Sequence, residues 1–346
     1  MVPTPTEFFA GLAMSPGAHR YTSPMQPVSI VATVLNEVED IARLVPSLLA
    51  QIPPPAEVVI VDGGSTDGTW EWLLDSAGQN PALRPIRDES CKLKRSLGPI
   101  SKGRNVAIAA ANSQIVACTD AGCTYAQDWL RRITAPLIAS TAEYALGGAR
   151  LDLSDPTVWD LASAPFFGVK LTESAPTKSC TARSMAFTKD LWQRIGGFPE
   201  SVFFGEDTLF DHQARRLTAP AFVNSAKAVY RPQYTLLSAG RQLARYAISD
   251  GILGVRPARL FRNAARCIVE VLALASLRWS VVPLFIILAL ESWFAFHLDW
   301  QILRHTGPRA LLARFVFSVF VPWIVAGNQI RGAITRRSPA NRQNLG

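Results

Sequence analysis

Residues 115–123 read IVACTDAGC, and the fold turns on how they are read. The first four form a hydrophobic run of strand character, Asp120 follows at its end, and Ala121-Gly122 turns the chain. A carboxylate delivered at the end of a buried strand, with only small residues behind it, stands at the carboxyl edge of a sheet, where open α/β sheets bind their ligands. Two further acidic loops, residues 62–67 (DGGSTD) and 205–207 (GED), are expected to face the same space.

Working outward from that strand, residues 27–35 (PVSIVATVL) and 57–61 (EVVIV) read as buried strands. Between them, residues 39–51 carry a helical stripe of apolar positions at 41, 44, 45, 48 and 49, interrupted only by Pro46. Strand, helix and strand in so short a span imply a parallel pair with a crossover. Helices are expected at 69–77, capped by Thr66 or Asp67, at 101–111 (SKGRNVAIAAA) and at 128–139. Residues 143–153 read as a strand crossing the sheet's edge. Residues 154–180 show no period, contain Pro156, Pro165 and Pro176, and read as a mobile segment. A short strand at 182–188, a helical turn at 189–195 and a helix from Glu206 to about Leu217 complete the α/β part.

The chain of 346 residues is 49% hydrophobic and only 18% charged, with a net charge of +8. An average soluble protein carries roughly 25% charged residues, and the apolar excess here gathers after residue 266. The arginines cluster beside those apolar segments and do not interleave with aromatics along a groove, so the basic surface suits anionic lipid headgroups and no nucleic-acid partner is expected. Five cysteines without a CxxC pair make a poor disulfide framework and point to a reducing compartment. Residues 1–26 carry Glu7 and four prolines without an unbroken apolar run, which reads as a disordered leader and not a signal peptide.

After Tyr230-Arg231-Pro232 the character changes. Residues 236–278 read as basic amphipathic helices lying at a membrane interface. Residues 279–298 and 311–330 are apolar runs of 20 residues each, long enough to cross ~30 Å of hydrocarbon. They are expected to form a two-helix membrane hairpin over 279–330, with Trp279, Trp293 and Trp300 as interface anchors. The tail 331–346 holds four arginines and no acid, which places it and the α/β domain on the cytoplasmic side of the plasma membrane.

Six motifs carry the chemistry: TVLNE (33–37), VDGGSTDGT (61–69), KGRN (102–105), TDAGC (119–123), GGF (196–198) and FGED (204–207). In this order and spacing they resemble the inverting glycosyltransferases of family 2. The resemblance covers residues 27–250 and implies a GT-A fold, Rossmann-like with a mostly parallel central sheet flanked by helices. The pattern YRP, then RQLARY, then apolar segments further resembles membrane-bound members that build bacterial exopolysaccharides. The domain plan that follows is a catalytic domain over 27–235, the interfacial helices, the hairpin and the tail.

By that resemblance Asn36, Glu37, Asp62, Ser65 and Asp67 border the base and ribose of a nucleotide-diphosphate sugar, and Lys102 and Arg104 lie near its phosphates. The bland reading of residues 62–68 is a tight turn rich in capping residues. Asp120, followed by Ala121 and Gly122, stands where the family places the first acid of its Asp-x-Asp element, which holds Mg²⁺ or Mn²⁺ against the diphosphate. Gly122 replaces the second acid, which puts the metal dependence, though not the nucleotide site, in question. Cys118 and Cys123 read as packing residues, since a hard cation prefers oxygen.

Asp207 matches the family's catalytic base, which must reach the acceptor hydroxyl from the side opposite the leaving diphosphate. Phe204, Gly205 and Glu206 would hold the acceptor. Arg241, Gln242, Arg245 and Tyr246 resemble a degenerate Gln-x-x-Arg-Trp element, and His212 reads as a helix-surface residue. Two apolar runs offer too few helices for a translocation channel, which favours transfer of single sugars to a lipid-linked, oligosaccharide or polysaccharide acceptor, alongside other polysaccharide-assembly proteins. The rival readings are a non-catalytic membrane scaffold that binds nucleotide sugars and, more remotely, a nucleotidyltransferase.

Overall fold

The computed structural model describes residues 26–92, 95–171, 180–276 and 300–337, together with residues 282, 285 and 289. The expected leader at 1–26, except residue 26, the first apolar run at 279–298, apart from three single positions, and the tail beyond residue 337 lie outside the described residues. The chain divides into two compact units, one made of residues up to 150 and 172–231, the other of residues 151–171 and 232 onward. The stretch 151–171 therefore groups with the C-terminal helices.

The first unit opens with β1 (Val28–Val34), α1 (Val38–Leu49), β2 (Glu57–Asp62), α2 (Thr69–Gln79) and β3 (Leu83–Arg87). It continues with α3 (Pro99–Ala110), β4 (Ile115–Cys118), β5 (Cys123–Thr124), α4 (Trp129–Ile138), β6 (Tyr144–Leu146) and β7 (Ala149–Leu151). Within the second unit comes α5 (Val158–Ser163), and the chain then returns to the first for β8 (Met185–Thr188), α6 (Lys189–Arg194), α7 (Glu206–Ala214), β9 (Ala221–Phe222) and β10 (Ala228–Tyr230). The main sheet has the order β3-β2-β1-β4-β8-β6-β9, and β5-β10-β7 form a second, three-stranded sheet. Strands β3, β2, β1 and β4 are mutually parallel, while β8 runs antiparallel to both β4 and β6.

Alternation along the parallel strands feeds two apolar layers. Ile30, Ala32, Val34, Val58 and Ile60 face α1, α2 and α4. Val31, Val59, Val61 and Val116 face α3, α6 and α7 together with Phe187, Phe198 and Phe210. Helix α3 is pressed against β1, since a β-carbon at Gly103 would stand 2.1 Å from the Thr33 hydroxyl.

Two expectations change. Residues 143–153 do not form one edge strand. They split into β6, which lies between β8 and β9, and β7 in the other sheet. The break falls at Gly147, where a β-carbon would come within 1.8 Å of the Ala226 carbonyl, so the chain must pass another backbone and turn. Residues 154–171 are not featureless either: α5 starts on a capping box in which Thr157 and Asp160 satisfy each other's backbone N–H; residues 172–179 of the expected segment lie outside the described residues.

In the second unit α5 is joined by α8 (Leu236–Leu253), α9 (Pro257–Ser276) and α10 (Trp300–Arg337), the last broken at Gly307. Ala239, Leu243, Ala247, Phe317, Val321 and Val325 form its core. Helices α8 and α10 cross at glycines: β-carbons at Gly251 and Gly332 would stand 2.1 Å from the carbonyls of Gln329 and Ile248. Residues Gly307–Thr335 of α10 are long and apolar enough to cross a membrane by length and composition.

Candidate active site

Asp120 leaves the end of β4 onto a turn that the second sheet secures. Gly122 takes φ +74, a conformation that a side chain would strain, and its carbonyl accepts the Arg231 N–H at 2.9 Å. Beside this turn lies the Tyr230 ring, with the Arg183 guanidinium stacked 4.3 Å from its centroid. A β-carbon at Gly122 would stand 3.5 Å from that ring and 3.6 Å from an Asp40 carboxylate oxygen.

Helix α3 ties this turn to the GED loop. Arg104, only 2% exposed, places Nη2 2.5 Å from Asp120 Oδ1 and Nη1 2.6 Å from Glu206 Oε1. The next residue, Asn105, donates Nδ2 to the Phe198 carbonyl and accepts the Phe198 N–H, both at 2.8 Å. Phe198 in turn stacks on Phe210 of α7 with ring centroids 4.4 Å apart. The KGRN motif thus positions both GGF and the start of α7, where Gly205 caps the helix at φ +80.

Glu206 is buried and its carboxyl is raised, burial outweighing the pull of Arg104. The two acids hold the guanidinium charged, raising it despite the burial that opposes it. Asp207 is half-buried beside them and accepts the Thr208 N–H at 2.6 Å. Phe204 packs edge-on against Phe203 at 4.3 Å.

The loops after β1 and β2 are stitched together. Asn36 adopts φ 56; its N–H donates to Ser65 Oγ at 2.8 Å and its Oδ1 accepts from the Thr66 N–H at 2.9 Å. Asp67 accepts from Val38 and Thr69, joining the starts of α1 and α2. Asp62 is completely buried and spends its oxygens on Gly64, Ser65 N–H and the Ser65 hydroxyl. These bonds shape the turn. The charge of Arg104 is engaged by two acids. Lys102, on the same helix, lies close enough to Asp88 to help hold that carboxyl low, after the Ser90 hydrogen bond.

The family resemblance implies a divalent cation, and the donor atoms can be tested against one. The nearest carboxylate to the missing second acid is Asp40, a residue the motifs did not single out. It comes from the first turn of α1, and its only sequence signal is the acidic stretch LNEVED. Burial first, then the hydrogen bond and charge of Asp40 and the charges of Asp67 and Asp120, push the Glu37 carboxyl up to about 8. At neutral pH Glu37 therefore keeps its proton, while Asp40 is paired with Arg43 three residues on. Cys118 and Cys123 are buried with thiols pushed up to about 12, chiefly by that burial, so they suit packing and not ligation. Among the described residues no group of three or more His, Cys, Asp or Glu side chains is gathered to hold a metal ion. Asp120 and Asp40 offer carboxylate oxygens, the donor type that a hard cation takes.

Glu37 makes a pH prediction. Its folded value of about 8 lies above the ordinary 4.5, so its contribution to stability is full below the lower value and is lost as pH rises toward the upper. With EDTA present, Glu37→Gln should gain thermal stability relative to the parent as pH rises across that window. A constant difference between the two melting curves would refute the shift.

Arg241, Arg245 and Tyr246 all lie on α8, in the second unit. Both arginines are exposed, and the Tyr246 ring meets Phe167 edge-on at 5.7 Å. His212 is on the exposed side of α7.

Residues 29–199 match the family model described as Glycosyl transferase family 2. The chain is 24% identical over 316 residues to "Glycosyltransferase AglE" of Haloferax volcanii, covering 87% of this chain and 93% of that protein. It is 32% identical over 119 residues to "Succinoglycan biosynthesis protein ExoA" of Rhizobium meliloti, about a third of each chain. Among solved structures it is similar to a mannosyltransferase, PcManGT of Pyrobaculum calidifontis, in complex with GDP-Man and Mn²⁺. The TM-score is 0.51 and the identity 20%, over 90% of this chain and 88% of that one. The shared fold is the GT-A-like α/β arrangement around a mostly parallel sheet.

Proposed function

On the premise that this chain carries a glycosyl transferase family 2 domain and is a glycosyltransferase, we propose that it moves a sugar, with inversion, from a nucleotide-diphosphate donor to a lipid-linked or polysaccharide acceptor. The observation that carries this reading is the Arg104 fork. One guanidinium touches both Asp120, at the end of β4, and Glu206, the residue before Asp207. The donor-side acid and the acceptor-side helix start therefore lie at one place.

In this mechanism the stitched loops after β1 and β2 border the nucleoside, with Asn36, Ser65 and Asp67 setting the backbone that the base meets. Asp120 faces the diphosphate, with Asp40 beside Gly122 as the second nearby carboxylate. A divalent cation bound there would neutralise charge growing on the leaving nucleotide. Asp207 takes the proton from the acceptor hydroxyl as that oxygen attacks the anomeric carbon opposite the diphosphate. Phe203 and Phe204 offer aromatic faces on the acceptor side.

Membrane association belongs to the same reading and is supported by the second unit taken alone. Its outward residues include Phe261, Ile268, Leu272, Leu312 and Ile334, while Asn263, Glu270, Arg314, Ser318 and Gln329 are buried. Apolar outside and polar inside suits lipid better than water. The two arginines that flank Asp250, Arg256 at 3.2 Å and Arg259 at 2.7 Å, precede this surface at the start of α9.

A thermal-shift screen of nucleotide sugars, including GDP-mannose and UDP-N-acetylglucosamine, with Mn²⁺ or EDTA, tests the donor site, because a ligand that binds only the folded state raises its stability. One donor should raise the melting temperature with Mn²⁺, and Asp120→Ala should abolish that increment. A shift that survives both Asp120→Ala and EDTA would refute the assignment of Asp120 to the cation.

A further inference from the structure

We propose that Arg104 is a positioning residue that couples the nucleotide side of the site to its acceptor side, so that the charge of Glu206 governs how tightly the donor and its cation are held. The inference rests on the proposed donor reading and adds a linkage that the motifs do not contain. Arg104 sits on α3, 102 residues before Glu206 and 16 before Asp120, and only the fold brings the three together.

The physical case begins with charge. Two carboxylates share one guanidinium, which leaves one negative charge in excess around a cation that is 2% exposed. Nη1 serves Glu206 and Nη2 serves Asp120, so each acid has its own nitrogen. Arg104 Nε is buried and makes no hydrogen bond among the described residues. With almost no water to replace a partner, a guanidinium that loses one acid leans harder on the other. A cation held by Asp120 would compete with Nη2 for the charge of that carboxylate, of which Arg104 touches only Oδ1, and Glu206 is the group that then compensates Arg104. Neutralising Glu206 therefore strengthens the hold of Arg104 on Asp120 and raises the positive potential at the cation's place. Both effects weaken cation-dependent donor binding and neither weakens a bare diphosphate.

The coupling also runs in reverse, because linkage between binding events is reciprocal. Donor occupancy tightens the Arg104–Glu206 pair and with it the first turn of α7, which carries Asp207. Binding of the sugar donor thereby firms the acceptor side before transfer.

The test uses the full chain and measures the affinity of UDP, GDP, ADP and dTDP with Mn²⁺ and with EDTA. For the nucleotide that the parent binds, Glu206→Gln should lower affinity about 5- to 20-fold with Mn²⁺, within the usual range of coupling between sites, and leave it unchanged with EDTA. In an Arg104→Lys background, where one ammonium cannot fork to both acids, the Glu206→Gln effect should disappear. Glu206→Asp keeps the charge and should retain the parent's Mn²⁺-dependent affinity; a loss equal to that of Glu206→Gln would overturn the role of charge. Asp75→Asn, an exposed acid on α2, should leave affinity unchanged in both conditions. Equal losses with Mn²⁺ and EDTA, or a Glu206→Gln loss that persists in the Arg104→Lys background, would overturn the coupling while leaving the donor site standing. If the parent binds none of the four nucleotides, the donor reading falls and the coupling falls with it.

Discussion

Asp207→Asn is expected to leave the protein folded and still able to bind its nucleotide, while kcat for sugar transfer drops about 10²- to 10⁴-fold, the usual contribution of a positioned general base. The isosteric amide keeps the hydrogen-bonding oxygen that meets the Thr208 N–H, so the first turn of α7 loses little. What it cannot do is accept the hydroxyl proton. Neighbouring Glu206 is no substitute, because its carboxyl is buried against Arg104. Transfer assays with a radiolabelled donor and membrane lipid as acceptor, set beside thermal-shift measurements of nucleotide binding, separate the two effects. Parent-like turnover in the variant would remove Asp207 from the role, and lost nucleotide binding would move it to the donor side.

The second large effect is on stability. Arg104→Met should cost about 3–5 kcal/mol of unfolding free energy, the range seen when one partner of a buried ion pair is removed. Methionine fills much of the same volume, so the loss is not chiefly one of packing. It leaves Glu206 buried without its cation, and Asp120 without its shortest contact. Glu206 would then take up a proton to avoid a buried charge, so the loss should shrink at low pH. The urea midpoint of the variant, followed across pH, measures this. A change below about 1 kcal/mol, the scale of an exposed pair, would mean that the fork contributes little to holding the site together.

The parallel core was legible because its strands are continuous apolar runs with punctuation at each end, the signature of strands covered on both faces. β1, β2, β4 and their helices fall where periodicity places them. β3 was not legible, since LRPIR contains Pro85 and is too short and polar to declare itself. Its place at the sheet's edge explains why proline is tolerated there. The division of residues 143–153 between two sheets was hidden for a different reason. The Gly147 turn is dictated by the Ala226 carbonyl, which lies far away along the chain.

At the candidate site the motifs marked the loops, and the contacts of each side chain came from the fold. DGGSTD was legible as a loop, yet Asp62 turns inward onto its own backbone N–H groups. KGRN was legible as basic, yet Arg104 faces two acids and Lys102 lies near Asp88. Asp40 had no motif at all. Its nearness to Gly122 follows from the packing of α1 beside the turn after β4, and no local pattern records it.

By itself the amino-acid sequence determined the family resemblance and fold class, the order of the core elements, and the acidic turns that follow β2 and β4. These depend on hydrophobic period and on local turn chemistry, both written in neighbouring residues. Tertiary structure alone decided which acid is paired and which is buried. Those outcomes depend on charges and backbones brought together from distant parts of the chain. Arg104 between Asp120 and Glu206 is the clearest instance: a guanidinium shielded from water takes whatever carboxylates the fold brings to it.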